Sequence, residues 1–317
     1  EVPMADTLHY VGRARFAPAR RQEQIEGYET LSWPYRLALP VMNIIAVWVN
    51  FKKALYAMFR AQPKTNFYFV DGLSVSARRV KDHATSWQAL DTVYNFNRGV
   101  GPNAFVRAID WFWLHTRNAQ AARNRLKMAK QALAEAIFAL AMPGEPVRIL
   151  SLAAGSAQGV IEVMAEMNTR GIRVESFLVD KDPKALTFAR ALAREHGIDD
   201  RLHTAVGDVI YFERHTNGFK PDIIEMMGLT DYLRNALAVL VFKKIRRHLK
   251  PGGYFFTSNV HPNPEAFSLK AAMNWDMLYR TPTQLADLLI EGGFLTPRVV
   301  TEAHGIQSFV SAQKISA

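Results

Sequence analysis

The chain has 317 residues, 49% of them hydrophobic, enough for a large packed core and more than one ordinary domain. It contains no cysteine, which excludes disulfides, thiolate zinc sites and cysteine nucleophiles within it. Its formal charge of +10 is uneven: residues 1–145 carry 19 Lys+Arg against 11 Asp+Glu, and the remainder 20 against 18. Such a basic surplus suits nucleic acid, anionic lipid or an acidic small substrate, and does not choose among them.

In chain order, the first strongly patterned run is RLALPVMNIIAVWVNFKKALYAMFRA, residues 36–61. Pro40, Asn43 and Asn50 interrupt it and Lys52-Lys53 follow, so it reads as too short and too polar for a transmembrane segment. A buried helix is expected, with an interfacial or substrate-covering helix as the alternative. Residues 103–115 and 117–143 predict two more helices, the second alanine-rich and stopped by Pro143-Gly144.

From residue 147 the pattern changes to short apolar strands alternating with amphipathic helices, the signature of a parallel sheet with right-handed crossovers. Strands are expected at 147–153, 173–180, 202–208, 221–228 and 253–260. Helices are expected at 158–169, 183–196, 232–249 and 281–293, the last with Thr281 as cap and Pro282 at its first position. RVVTEA and IQSFVSAQ around His304-Gly305 predict an antiparallel hairpin at the sheet edge. The division is therefore a mainly helical substrate or lid region, 1–144, followed by an α/β domain, 145–317. No charged n-region, apolar h-region and cleavage site is seen, so a cytoplasmic enzyme is the default expectation.

Ligands of an open parallel sheet bind beyond the carboxyl ends of its strands, beside the switch in strand order. SLAAGSAQG occupies the first strand-to-helix turn, where Ala153, Ala154 and Gly155 allow close approach to the backbone. A complete G-x-G-x-x-G is absent, which disfavours a pyrophosphate-bearing dinucleotide. Asp180 ends the second strand, where a carboxylate accepts from ribose hydroxyls, and Asp208 follows the third, where one accepts from an adenine amine. Three strand ends thus describe an adenosine pocket. The competing reading of Asp208 is a turn former beside Gly207.

The loop LSLAAGSAQG, the acid in LVDKDP, the GD after strand three and HLKPGGYFF resemble the class I, Rossmann-like S-adenosylmethionine-dependent methyltransferases over residues 145–317. MMGLTDYL, TSNVHPNP and NWDMLYRTP resemble a bacterial subgroup that includes enzymes methylating fatty-acid-derived signals. The resemblance implies a seven-stranded sheet, parallel with an antiparallel C-terminal edge strand, and S-adenosyl-L-methionine as cofactor. It implies that Gly155 and its neighbours meet the methionine moiety, Asp180 the ribose, and Asp208 with Val209 the adenine. Gln158, Lys181, Glu225 and Met226 complete the implied cofactor set. Two departures stand out: Ser151 replaces an acid common on the first strand, and Ala153 and Ala157 replace two usual glycines.

Methyl transfer needs an aligned nucleophile and, for a hydroxyl or amine, a base. Glu225, Tyr232, His261 and Tyr279 are the catalytic candidates, with Asp231 among the nearby carboxylates. Asn263, Trp275 and Arg280 are candidate substrate contacts, Trp275 and Tyr279 being four apart and expected on one helical face. No closely spaced His/Asp ligand set suggests a metal. The expected partner is a partly apolar small molecule methylated on O or N; a homodimer is allowed. RNA methylation is the weaker alternative, using the basic half and Trp33, Tyr35, Trp111 and Trp113. Aminopropyl or aminocarboxypropyl transfer with the same cofactor, and a degenerate binding module, are the others.

Overall fold

The computed structural model describes residues 27–216 and 218–315, so residues 1–26 of the expected N-terminal region lie outside the described residues. Five helices come first: α1 (Trp33–Met58), α2 (Val75–Asp82), α3 (Trp87–Tyr94), α4 (Ala104–Leu114) and α5 (Arg117–Leu140). A sheet follows with β1 (Val147–Leu152), β2 (Val174–Asp180), β3 (Leu202–Val206), β4 (Ile223–Met226), β5 (Tyr254–Val260), β6 (Arg298–Thr301) and β7 (Gln307–Gln313). Helices α6 (Gln158–Thr169), α7 (Pro183–Glu195), α8 (Asn235–His248), α9 (Ala266–Met273) and α10 (Pro282–Glu291) connect its strands.

The strand order is β3-β2-β1-β4-β5-β7-β6. Strands β1 to β5 pair in parallel, whereas β7 runs antiparallel to both β5 and β6. The expected C-terminal hairpin therefore exists, with its antiparallel strand inserted between β5 and the edge strand β6. The order reverses between β1 and β4, the switch point at which α/β sheets bind ligands.

Both faces of the sheet are covered, which explains strands that read as nearly continuous apolar runs. On one face α5, α6 and α7 bury Leu133, Ile137, Ile161, Met164 and Leu186 against Ile149 and Leu178. On the other α8 and α10 bury Phe242, Ile245, Leu285 and Leu289 against Leu150, Ile224 and Phe255. Each such side chain contributes about 1.5–3 kcal/mol when fully removed from water. Helix α5 precedes residue 145 yet packs in the sheet core through its C-terminal half. Its N-terminal half joins a separate cluster of Met42, Val70, Val80, Val93, Trp113 and Met273 through Ala122.

Several elements differ from the sequence reading. Helix α1 runs uninterrupted through Pro40, Asn43 and Asn50, because a proline in a helix exposed along most of its length can lose one backbone bond to solvent. It is largely exposed instead of buried, and it is the one described helix long and apolar enough to cross a membrane by length and composition. Helix α8 begins at Asn235, not Tyr232, because Thr230–Tyr232 form a 3-10 turn and Leu233 is extended. Helix α9 was not foreseen. It ends at Asn274 in the left-handed conformation, φ 57°, after which the chain is not helical.

Candidate active site

The turn after β1 bends three times through the left-handed region: Ala153 at φ 52°, Gly155 at φ 55° and Ala157 at φ 50°. Alanine in this conformation costs about 1–2 kcal/mol, so the loop retains glycine geometry at the two positions where glycine is missing. Gly155 is needed for more than its φ. A Cβ there would lie 3.1 Å from the Cβ of Trp87, the first residue of α3, which covers the loop. The Trp87 indole Nε1 donates to Asp182 Oδ2 at 2.9 Å and its ring packs 5.0 Å from that of Phe188.

Asp180 stands at the tip of β2, its Oδ2 accepting from the Gly155 amide and its Oδ1 from the Asp182 amide, both at 2.8 Å. Each oxygen keeps a second lone pair. Asp208 accepts from the Ile210 amide at 2.8 Å, capping the 3-10 turn that follows β3. Turn forming and cavity lining thus coexist in one carboxylate. Ala153, Ala154, Gly155 and Gln158 line the same cavity of about 710 Å³ as Asp180, Lys181, Asp208, Val209 and Glu225. That size lies within the roughly 300–1,000 Å³ of cofactor and small-ligand sites. Met226 does not reach it, because its side chain is buried with Phe242 and Phe255 on the α8 face.

Glu225 on β4 is in register with Ser151 on β1. The Ser151 hydroxyl donates to Glu225 Oε1, and the Met227 amide donates to Oε2 at 3.2 Å. Burial pushes the Glu225 carboxyl up to about 7 against these bonds and the nearby Arg125 charge.

Asp231, in the 3-10 turn before α8, also lines the cavity. Its Oδ1 accepts from the Val260 amide at 2.8 Å, and its Oδ2 lies 4.0 Å from the buried guanidinium of Arg125. Burial pushes this carboxyl up to about 6, opposed first by the Arg125 charge. Arg125 Nη2 in turn donates to Tyr94 Oη at 2.6 Å. Tyr232 and Trp275 line the cavity together, the Trp275 Nε1 donating to Tyr232 Oη at 2.6 Å, and burial raises the Tyr232 phenol. The remaining wall is apolar and includes Leu90, Val93, Trp113, Leu114, Leu269 and Met273.

Besides Met226, four expected site residues lie outside the cavity. His261 is buried with Nδ1 on the Gly305 carbonyl and Nε2 on Ser308 Oγ, so both nitrogens pin β5 to β7, and burial lowers its pKa. Asn263 bonds Asn118 and the His261 carbonyl in the loop before α9. Arg280 donates to the Thr230 and Leu233 carbonyls and to Asn259 and Asn235, fastening the segment that leads into α8 to β5. Tyr279 is half-buried, its phenol oxygen buried without a partner and pushed up to about 12; lacking a helix, it shares no helical face with Trp275. Trp87, Tyr94 and Arg125 went unforeseen as site residues. The available signal was Arg125 itself, a cation among the alanines and leucines of the face α5 buries. Among the described residues no His/Asp/Glu group could hold a metal.

Residues 17–314 match the family described as "Putative methyltransferase". The chain is 25% identical over 225 residues to the uncharacterized protein YnbC of Escherichia coli K12, a stretch covering 66% of this chain and 37% of that protein. Among solved structures, one of "a possible exported protein" from Bordetella parapertussis superposes with a TM-score of 0.66 at 17% identity, covering 90% of this chain and 100% of that one. Magnesium protoporphyrin IX methyltransferase (ChlM) of Synechocystis PCC 6803, with bound SAH, gives 0.51 at 11% identity over 75% and 99% of the two chains. At these identities the structural likeness is one of fold. The site fits S-adenosylmethionine: a strained small-residue turn, strand-tip carboxylates for hydroxyls and amines, and no phosphate cradle. The match over most of the chain shows that it belongs to the family described as "Putative methyltransferase", and it shares the fold of a methyltransferase solved with bound SAH.

Proposed function

We propose that this chain transfers a methyl group to an oxygen or nitrogen of a partly apolar small molecule enclosed between the sheet tips and the N-terminal helices. Asp180 takes the ribose hydroxyls, Asp208 and Val209 flank the adenine, and Glu225 receives the methionyl amine with Ser151 holding its carboxylate. Bound there, S-adenosylmethionine supplies an electrophilic methyl carbon on a sulfonium.

One observation carries the reading: a buried carboxyl, Asp231, shares an enclosed cavity with an extensive apolar wall. Asp231 is the proposed base. With its carboxyl near 6 it is ionised at neutral pH yet basic enough to accept a proton from a hydroxyl or ammonium acceptor. Arg125, oriented by Tyr94, limits the cost of that buried charge. Leu114, Met273 and Trp275 exclude water and select an acceptor with apolar bulk. Of the four aromatics considered for RNA, Tyr35 and Trp113 are packed in the core while Trp33 and Trp111 are exposed, so it is the enclosed apolar cavity that supports a small molecule over RNA.

Incubating the protein with methyl-labelled cofactor and a panel of apolar alcohols, phenols, amines and carboxylic acids, then reading products by mass, tests this. A labelled O- or N-methyl product is expected, and Asp231→Asn should lower kcat by about 10²–10⁴-fold with S-adenosylhomocysteine affinity unchanged. Transfer of a larger group, or full activity in that variant, would overturn it.

A further inference from the structure

Among the described residues, helix α1 turns one face into the protein and leaves the other uncovered. Tyr35, Met42, Ala46 and Val49 are buried, and the helix packs on α9. Trp33, Leu37, Val41, Ile44, Trp48, Phe51, Leu55 and Met58 follow at steps of three and four, which is one helical stripe. Every one of them is between 44% and 77% exposed. At 1.5 Å per residue the stripe runs about 39 Å, well beyond the scattered apolar exposure of ordinary surfaces.

Two features say what covers it. The helix cannot leave the protein to cross a bilayer while its inner face is fastened: Lys53 Nζ donates to the Ala271 carbonyl at 2.7 Å and to Asn274 Oδ1 at 2.6 Å, and Tyr35 Oη donates to the Phe112 carbonyl at 3.0 Å. Between Glu29 and Asp71 the chain has no acidic residue and five basic ones, Arg36, Lys52, Lys53, Arg60 and Lys64. A second copy seated on the same face by a twofold axis would bring this cationic stretch against its duplicate with no carboxylate within the stretch to pair it. An anionic surface meets both demands, taking the apolar stripe into its hydrocarbon boundary and the exposed cations Arg36, Arg60 and Lys64, which are not tied back into the protein as Lys52 and Lys53 are, at its headgroups.

We infer that α1 docks this chain flat on an anionic lipid bilayer, with the stripe from Trp33 to Met58 as the inserted face. Flotation of the full-length protein with vesicles of phosphatidylcholine alone, or of phosphatidylcholine mixed with phosphatidylglycerol, tests it. Binding to the mixed vesicles that weakens with salt is expected. Ile44→Glu with Trp48→Glu should reduce it by roughly tenfold or more. Both positions are exposed, so the thermal midpoint of the double variant should match that of the parent, which separates lost docking from lost folding. No binding to either vesicle, or equal binding by the folded double variant, would overturn the inference. So would a dimer by light scattering that the double variant converts to monomer, since the stripe would then belong to a second copy.

Discussion

Burial, opposed by the hydrogen bond from Ser151, sets how the Glu225 carboxyl titrates. Ser151 on β1 stands in register with Glu225 on β4, and its hydroxyl donates to that buried carboxyl. With its carboxyl raised from an ordinary 4.5 to about 7, folded Glu225 retains a proton that the unfolded chain releases between those pH values. Its contribution to stability is therefore fully present below about 4.5, falls as pH rises through the window, and is lost above about 7. Glu225→Gln does not ionise. Thermal midpoints of the two proteins should accordingly shift in favour of the variant between pH 5 and pH 8, by up to a few kcal/mol in stability; a pH-independent difference would show that Glu225 is not held protonated. Asp231 gives a separate kinetic signature. If it is the base, kcat/KM should rise with pH and level off above an apparent pKa near 6, and Asp231→Asn should abolish that limb.

At the scale of elements, the turn between β1 and α6 is the feature most easily misjudged from residue types. Alanines at 153 and 157 look like losses of glycine, yet both keep a positive φ, so backbone geometry is preserved at the cost of strain. Ala153 is only half-buried, and Ala153→Gly should leave stability unchanged or raise it by up to about 1 kcal/mol, relief of strain outweighing the added unfolded-state entropy. Ala157 lies in the core cluster, so Ala157→Gly loses a packed methyl that offsets the same relief. Gly155→Ala, with Trp87 in the way, should cost about 1–2 kcal/mol; denaturant melts of the three variants rank them. The regular elements were legible because each carried a local signal. Apolar runs gave the strands, Pro183 and Pro282 opened α7 and α10, and Thr281 with Gln284 completes a capping box. Helix α9 was not legible: its eight residues, AFSLKAAM, have little amphipathic pattern and sit just beyond Pro262 and Pro264. The spacing of Trp275 and Tyr279 suggested a helix that the left-handed Asn274 ends, and nothing local announces that stop.

At the scale of the whole molecule, the site depends on contacts between segments far apart in sequence, which is why its sheet half was readable and its helical half was not. Strand tips declare their ligand-facing residues by position, whereas Trp87, Tyr94 and Arg125 reach the cavity only because α3 and α5 fold back across the β1 turn. Trp87 is the joint between the halves: its backbone sits over Gly155, its ring against Phe188, and its indole N–H on Asp182, two residues beyond the proposed ribose acceptor. Closure of the helical region and retention of the cofactor should therefore be coupled through this side chain. Trp87→Ala removes ring and hydrogen bond together and should weaken S-adenosylhomocysteine binding roughly tenfold, about 1.4 kcal/mol. Trp87→Phe keeps a ring against Phe188 but loses the donor to Asp182, so its loss should be smaller. Calorimetric titration of the three proteins measures both, with denaturant melts confirming that the sheet core survives. Equal affinities across the series would mean that the helical half only encloses the acceptor and takes no part in holding the methyl donor.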